Sequence, residues 1–246
     1  MALIETNINI SDYVELYNRG KSIKDFTPIK NQTYYVLRMS NVDIRVIDRE
    51  ECYDILVKLE KIKHFTVDTN YLSARYFYMI PIQTIKGTIV GFIFRTLEGK
   101  RYNSVLREFS DYEKKVPIMF GFSEGFENFD KLKTSVPLVI CEGLKDCIIL
   151  KKIYPYTLSN NTSSLGFNAY VLRNLTDKFI LCYDNDSTGE EKLPQDVKLL
   201  KSLGCSVDTL VTPLHYKDCS DLISNKRLLK VFKDDLTRKI RRLIEQ

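Results

Sequence analysis

Pro137-Leu138-Val139-Ile140-Cys141-Glu142-Gly143 and Phe179-Ile180-Leu181-Cys182-Tyr183-Asp184-Asn185-Asp186 decide how this chain is read. Each is a short apolar run that ends on carboxylates. With helical segments between such runs, the pattern implies an α/β unit, a mainly parallel sheet with helices on its faces. The strand candidates are 136–141, 157–158, 179–183 and 207–211. Functional groups in such a sheet gather at the C-terminal ends of strands. Glu142, the pair Asp184 and Asp186, and the pair Asp218 and Asp221 all stand just past a strand candidate. Gly143 allows a tight strand-to-helix turn, which presents the Glu142 carboxylate at the sheet edge.

Carboxylates crowded at one edge repel one another unless a cation neutralises them. Hard divalent ions take oxygen ligands, and Mg²⁺ commonly combines a few carboxylates with waters and substrate phosphates. Two such ions about 4 Å apart can activate an attacking oxygen and stabilise a leaving one. A single Asp after a strand is as well explained by a turn or a helix cap. The ordered set of three is what points to a metal site.

Before residue 135 the chain reads as mixed α and β. Residues 33–38 and 42–47 have strand composition, with Ser40 and Asn41 as the turn. Asp48 followed by Glu51 is a capping-box pattern, and Cys52, Ile55, Leu56 and Leu59 continue at helical spacing, which predicts a helix over 48–62. Strands over 76–82 and 88–95 flank a turn at Lys86-Gly87, and Glu98-Gly99-Lys100 supplies another turn. The polar stretch 128–135 marks the boundary, giving an N-terminal α+β subdomain (1–135), an α/β domain (136–225) and a terminal helix (226–246).

That helix has Leu229, Phe232, Leu236, Ile240 and Leu243 at steps of three and four. Its other face carries Lys233, Arg238, Lys239, Arg241 and Arg242. Residues 226–246 hold eight Lys/Arg against three Asp/Glu, so the whole net charge of +5 sits there. A basic face of this kind is either a solvated surface or a contact for nucleic acid or a partner. The composition is globular, 44% hydrophobic and 28% charged. No apolar run approaches the roughly 20 residues needed to span a bilayer, and the N-terminus lacks a signal-peptide pattern. A soluble, cytoplasmic protein without membrane contact is expected. The six cysteines are scattered without a C-x-x-C pair, so they are expected as small buried hydrophobes, with no zinc.

Glu142-Gly143-Leu144-Lys145-Asp146, Asp184-Asn185-Asp186-Ser187-Thr188-Gly189 and Lys217-Asp218-Cys219-Ser220-Asp221 together resemble the TOPRIM signature. Ser164-Leu165-Gly166 is similar to a turn of bacterial primases. Upstream, Arg75 through Ile82, Gly91-Phe92-Ile93-Phe94-Arg95, Lys100-Arg101-Tyr102-Asn103-Ser104, Lys114-Lys115 and Phe120-Gly121-Phe122 resemble elements of the DnaG-type primase catalytic core. The resemblance covers roughly residues 70–225 and implies a TOPRIM domain preceded by a mixed α+β subdomain with a basic groove. It implies Mg²⁺ or Mn²⁺ held by Glu142, Asp184, Asp186 and Asp218, with Asp221 as a further ligand. Glu142, Asp184 and Asp186 would be catalytic. Arg75, Arg95, Lys100 and Asn103 would contact template, primer or nucleoside triphosphate.

The implied activity is DNA primase: short RNA primers made on a single-stranded DNA template from NTPs by nucleotidyl transfer. The Lys-Asp-x-x-Asp spacing is closer to helicase-fused phage primases, which implies a compact phage- or plasmid-type enzyme acting in a host cytoplasm. Residues 226–246 would be the place where a replicative helicase docks. A TOPRIM-type metal-dependent nuclease and a non-catalytic replication factor are the alternatives. Pro194 interrupts the segment after Asp186, so the helix there is expected to begin at Pro194, with Leu193 outside it.

Overall fold

The computed structural model describes residues 10–26, 32–40, 43–61, 74–83, 89–96, 101–102, 120–121, 136–160, 164–166, 168–213 and 216–246. Lys100, Asn103, Lys114-Lys115, the Lys86-Gly87 turn and Glu98-Gly99-Lys100 lie outside them.

Among the described residues, an antiparallel sheet has the order β1 (Lys21–Ser22), β2 (Arg45–Asp48), β3 (Tyr76–Gln83), β4 (Ile89–Thr96) and β5 (Arg101–Tyr102). Tyr78 pairs with Arg95 and Ile80 with Ile93 across β3 and β4. Strand alternation divides these side chains between two layers. Phe77, Met79, Phe92 and Phe94 pack with Leu16 and Tyr17 of α1 (Ile10–Asn18) and with Cys52, Ile55 and Leu56 of α3 (Arg49–Lys61). Tyr78, Ile80 and Ile93 face the other way, into a core shared with the second sheet. Arg95, two residues beyond Ile93, is therefore aimed at that second sheet as well.

The second sheet is parallel, with the order β7 (Thr157–Ser159), β6 (Leu138–Cys141), β8 (Lys178–Cys182), β9 (Ser206–Thr209). All four strand candidates read from the sequence are present. Their apolar runs are continuous because both faces are covered. Val139, Cys141, Ile180 and Cys182 join the shared core, with α4 (Leu144–Lys151) and α7 (Lys226–Ile244) against them. Leu138, Ile140, Phe179 and Leu181 pack instead with α5 (Asn168–Leu172) and α6 (Ser187–Ser202). Phe120 bridges to Ser159 by two backbone hydrogen bonds, and Gly121 next to it has φ 111°.

The expected helix over 48–62 is α3, and its start carries half of the capping box. The Asp48 side chain accepts the Glu51 N–H at 2.9 Å, whereas Glu51 pairs with Arg19 instead of reaching back. Residues 33–38 are not a strand but the helix α2 (Gln32–Arg38). Tertiary packing overrides their strand composition here. Tyr34, Val36 and Leu37 bury in the shared core with α2 against α4, while Tyr35 and Arg38 stay at the surface. The Tyr34 hydroxyl donates to the Phe26 carbonyl at 2.7 Å, and Arg38 lies over the Tyr34 ring.

The expected break before Pro194 is also absent: α6 runs through it from Ser187 to Ser202. Both flanks of the proline are anchored. The Asp186 side chain caps the helix at one end, and buried Asp196 and Leu200 fix it beyond the proline. These contacts outweigh the single backbone hydrogen bond that proline removes. The terminal helix α7 forms as expected, burying Phe232, Leu236 and Leu243. Each such side chain contributes about 1.5–3 kcal/mol to docking. Two residues of its basic face are used internally, since Lys239 and Arg242 pair with the buried Asp208 of β9. Among the described residues no helix is long and apolar enough to cross a membrane.

Candidate active site

Glu142 follows β6 directly. Its Oε1 accepts the backbone N–H of Asp184, the residue two beyond β8, at 3.2 Å. Its own carbonyl accepts the Ser159 hydroxyl at 2.9 Å, which ties it to the end of β7. Two glycines make room for the carboxylates. A Cβ on Gly189, in the first turn of α6, would fall 2.0 Å from the Asp184 carbonyl oxygen and 3.1 Å from Glu142 Oε1. A Cβ on Gly143 would fall 2.5 Å from Asp146 Oδ2.

Asp186 works first as a helix cap, with Oδ1 accepting the N–H groups of Thr188 and Gly189, both at 3.0 Å. Its Oδ2 lies 3.0 Å from the Lys217 ammonium. Asp218 in turn caps the 3₁₀ helix Cys219–Ser224, accepting the Asp221 N–H at 3.0 Å and the Ser220 hydroxyl at 2.6 Å. The two carboxylate loops are fastened together by the Asn185 N–H donating to the Lys217 carbonyl at 2.6 Å.

Asp146 is a member of this group that was not singled out from the sequence. It sits in the first turn of α4, is 4% exposed, and accepts the Ser220 N–H at 2.9 Å. The Cys219 thiol donates to it at 3.1 Å. The signal was its place in Glu-Gly-x-x-Asp, four residues after Glu142, but only folding reveals that it braces the loop that carries Asp218.

A cavity of about 240 Å³ is lined by Glu142, Gly143, Leu144, Lys145, Asp146, Asp184, Asp218, Lys217 and Arg95. Glu142, Asp184 and Asp218 are thus brought together, and β4 contributes Arg95 to the same space. Asp186 and Asp221 are beside it without lining it. Arg75 stays at the start of β3, exposed, with its guanidinium 5.2 Å from the Tyr76 ring centroid.

The electrostatics follow from this crowding. Burial, then the Asp184 charge, pushes Glu142 up to about 7. Burial, then Asp218, pushes Asp146 up to about 7 and Asp184 up to about 6, although Lys217 and Lys145 pull Asp184 the other way. Asp186 is held below its ordinary value by the Gly189 N–H and by Lys217. Among the described residues no three His, Cys, Asp or Glu side chains converge closely enough to enclose an ion on their own. Mg²⁺ does not require that, because it commonly keeps waters and shares substrate phosphates. Oxygen donors that raise each other's proton affinity fit a hard divalent cation, whose charge would relieve their repulsion. All six cysteines are buried as thiols, in keeping with the reading of them as small core residues.

Comparison with known proteins gives the same architecture. Residues 139–223 match the Toprim-like family model. The DNA primase of Borreliella burgdorferi is 27% identical over 116 residues, which is 45% of this chain and 21% of that protein. The zinc-binding and RNA polymerase domains of Aquifex aeolicus primase superpose with a TM-score of 0.64 at 22% identity, covering 98% of this chain and 63% of that one. A DnaG primase catalytic domain bound to single-stranded DNA gives a TM-score of 0.64 at 16% identity, covering 92% of this chain and 80% of that one. The chain therefore has the fold of DnaG-type primase catalytic cores, with a Toprim-like domain, and it spans about a fifth of the length of the curated relative.

Proposed function

We propose that this chain, with its Toprim-like domain in a DnaG-type primase fold, is a DNA primase that makes short RNA primers on single-stranded DNA from nucleoside triphosphates. The observation that carries the reading is Arg95 lining the same cavity as Glu142, Asp184 and Asp218. A Toprim domain alone would serve hydrolysis as well as polymerisation. The antiparallel sheet that delivers Arg95 is the part shared with primase cores and not required of a Toprim nuclease.

In this reading Glu142, Asp184, Asp186 and Asp218 would hold Mg²⁺ or Mn²⁺, with Asp221 as a further ligand, and Glu142, Asp184 and Asp186 form the catalytic set. Bound there, the ion would neutralise phosphate charge and make the primer 3′-hydroxyl a better nucleophile. Asp146 is a positioning residue, since it fixes the Cys219–Ser224 segment through the Ser220 N–H. Arg95 and Lys145 supply positive charge to the cavity wall for the polyanionic substrate. Arg75, Lys100 and Asn103 would contact template and primer, a mixture of side chains suited to phosphate and sugar contacts.

We read residues 1–135 as the primase-like subdomain, 136–225 as the TOPRIM domain and 226–246 as the basic terminal helix, the place for a helicase contact. The Lys217-Asp218-Cys219-Ser220-Asp221 spacing supports a phage- or plasmid-type enzyme working in the cytoplasm of its host. Incubation with single-stranded template, labelled NTPs and Mg²⁺ or Mn²⁺ tests the reading, with short RNA as the expected product. Breakdown of nucleic acid without nucleotide incorporation would favour the nuclease, and neither activity would favour a non-catalytic replication factor.

A further inference from the structure

Lys217 lines the cavity and pairs with one carboxylate beside it. Its ammonium lies 3.0 Å from Asp186 Oδ2, and the residue also lines the cavity with Glu142, Asp184 and Asp218. The loop that carries it is pinned, because its carbonyl accepts the Asn185 N–H at 2.6 Å. Asp186 has already committed Oδ1 to the N–H groups of Thr188 and Gly189. Oδ2 is therefore the oxygen it offers to a cation, and Lys217 is the cation on it.

That pair is built to exchange. The Lys217 side chain is 60% exposed, so water screens the attraction and the contact is weak. Lysine carries its charge as a compact group on a flexible stem, so the ammonium can swing while the backbone stays fixed. Arg95 and Lys145 line the same cavity and add positive charge to its carboxylates. A wall with both signs suits a ligand that arrives as a polyanion together with a divalent ion.

We infer that Lys217 is a polyphosphate-binding residue held in reserve on Asp186, where its ammonium would compete with a divalent ion for the carboxylate, and that it contacts the triphosphate of the incoming nucleotide. The inference rests on the primase reading for the identity of its ligand. It adds to that reading a competition between Lys217 and the metal for one oxygen. That competition predicts two effects of opposite sign from one substitution.

The test uses the full chain with Lys217→Met and Lys217→Arg. Mn²⁺ binding without nucleotide is followed by electron paramagnetic resonance, and ATP and AMP binding in Mg²⁺ by calorimetry. Lys217→Met should bind Mn²⁺ more tightly, by about threefold or more, because the competing ammonium is gone. It should bind ATP about fivefold to tenfold more weakly with AMP unchanged, and Lys217→Arg should keep the ATP affinity. Exposure of the side chain makes loss of folding an unsuitable explanation, and a matching melting temperature checks this. Unaltered Mn²⁺ and ATP affinities in Lys217→Met overturn the role of Lys217 alone, provided the wild type prefers ATP to AMP. A wild type that binds Mn²⁺ without preferring ATP to AMP removes the primase reading, and this inference with it.

Discussion

Glu142 and Asp184, 42 residues apart in sequence, are joined by a hydrogen bond of 3.2 Å from the Asp184 N–H to Glu142 Oε1. The bond spans adjacent parallel strands and sets the spacing of two carboxylates at one sheet edge. Glutamine can accept the same N–H but carries no charge. Glu142→Gln should therefore keep a wild-type melting temperature within about 3 °C, a shift of roughly 1 kcal/mol for a chain of this size. Its stabilisation by added Mg²⁺ should fall sharply. A variant that Mg²⁺ stabilises as well as wild type would remove Glu142 from the metal site.

Burial and mutual repulsion give the acidic cluster a characteristic pH dependence. Glu142 and Asp146 are raised to about 7 and Asp184 to about 6. Each binds a proton more readily in the folded state than in the unfolded one. Their contribution to stability is full below about pH 4, the ordinary carboxylate value, and is lost as pH rises through 6 to 7. Asp186, held low, behaves oppositely and loses its contribution only on acidification below the ordinary value. Thermal melts in chelator should decline from about pH 5 to about pH 8, and Mg²⁺ should raise the melting temperature more at the upper end. Equal stabilisation by Mg²⁺ at both ends would contradict this.

Gly189→Ala tests the close approach of α6 to the carboxylates. The added Cβ would fall 2.0 Å from a backbone oxygen, which cannot move aside as a side-chain tip would. A cost of about 1–3 kcal/mol is expected, together with weaker metal binding, because the displaced atoms belong to Asp184 and Glu142. Retention of both stability and metal affinity would mean that the helix start is less tightly placed than the structure has it.

Asp196 holds the turn at Ser164-Leu165-Gly166 against α6. It accepts the Tyr183 hydroxyl at 2.6 Å, the Leu165 N–H at 2.9 Å and the Ser164 hydroxyl at 3.1 Å. Asp196→Asn replaces one acceptor oxygen with a donor facing other donors. The expected loss is about 1–3 kcal/mol, read from denaturant or thermal unfolding. Since Tyr183 adjoins Asp184, a smaller drop in metal affinity should accompany it.

The parallel sheet was legible because strands covered on both faces must be apolar throughout, and Val139-Ile140-Cys141 and Phe179-Ile180-Leu181-Cys182 are. Gly143 and Gly189 could be suspected from spacing, but the steric reason for Gly189 lies in a loop that folding brings against it. Residues 33–38 misled because strand composition is a statement about a half-buried surface, and packing against α4 supplied that surface to a helix. Pro194 misleads because its effect on a helix is local, whereas Asp186 and Asp196 anchor both sides of the proline. Asp146 was visible in its motif yet unassigned, since its partner Ser220 is 74 positions away. The basic face of α7 reads from the sequence as a solvated surface or a contact for nucleic acid or a partner, and the buried acid that takes up Lys239 and Arg242 is on β9, outside the helix.

In the primase reading, the carboxylates beside Arg95 perform metal-dependent nucleotidyl transfer. The most direct measurement is incorporation of labelled ribonucleotide on single-stranded DNA by wild type, Asp184→Asn and Glu142→Gln, each with Mg²⁺ or with chelator. The prediction is short RNA from wild type with Mg²⁺ only, and a loss of at least about a hundredfold in both variants, the scale of removing a group that stabilises charge in the transition state. RNA synthesis that continues in chelator, or that persists at the wild-type rate in both variants, would contradict the account.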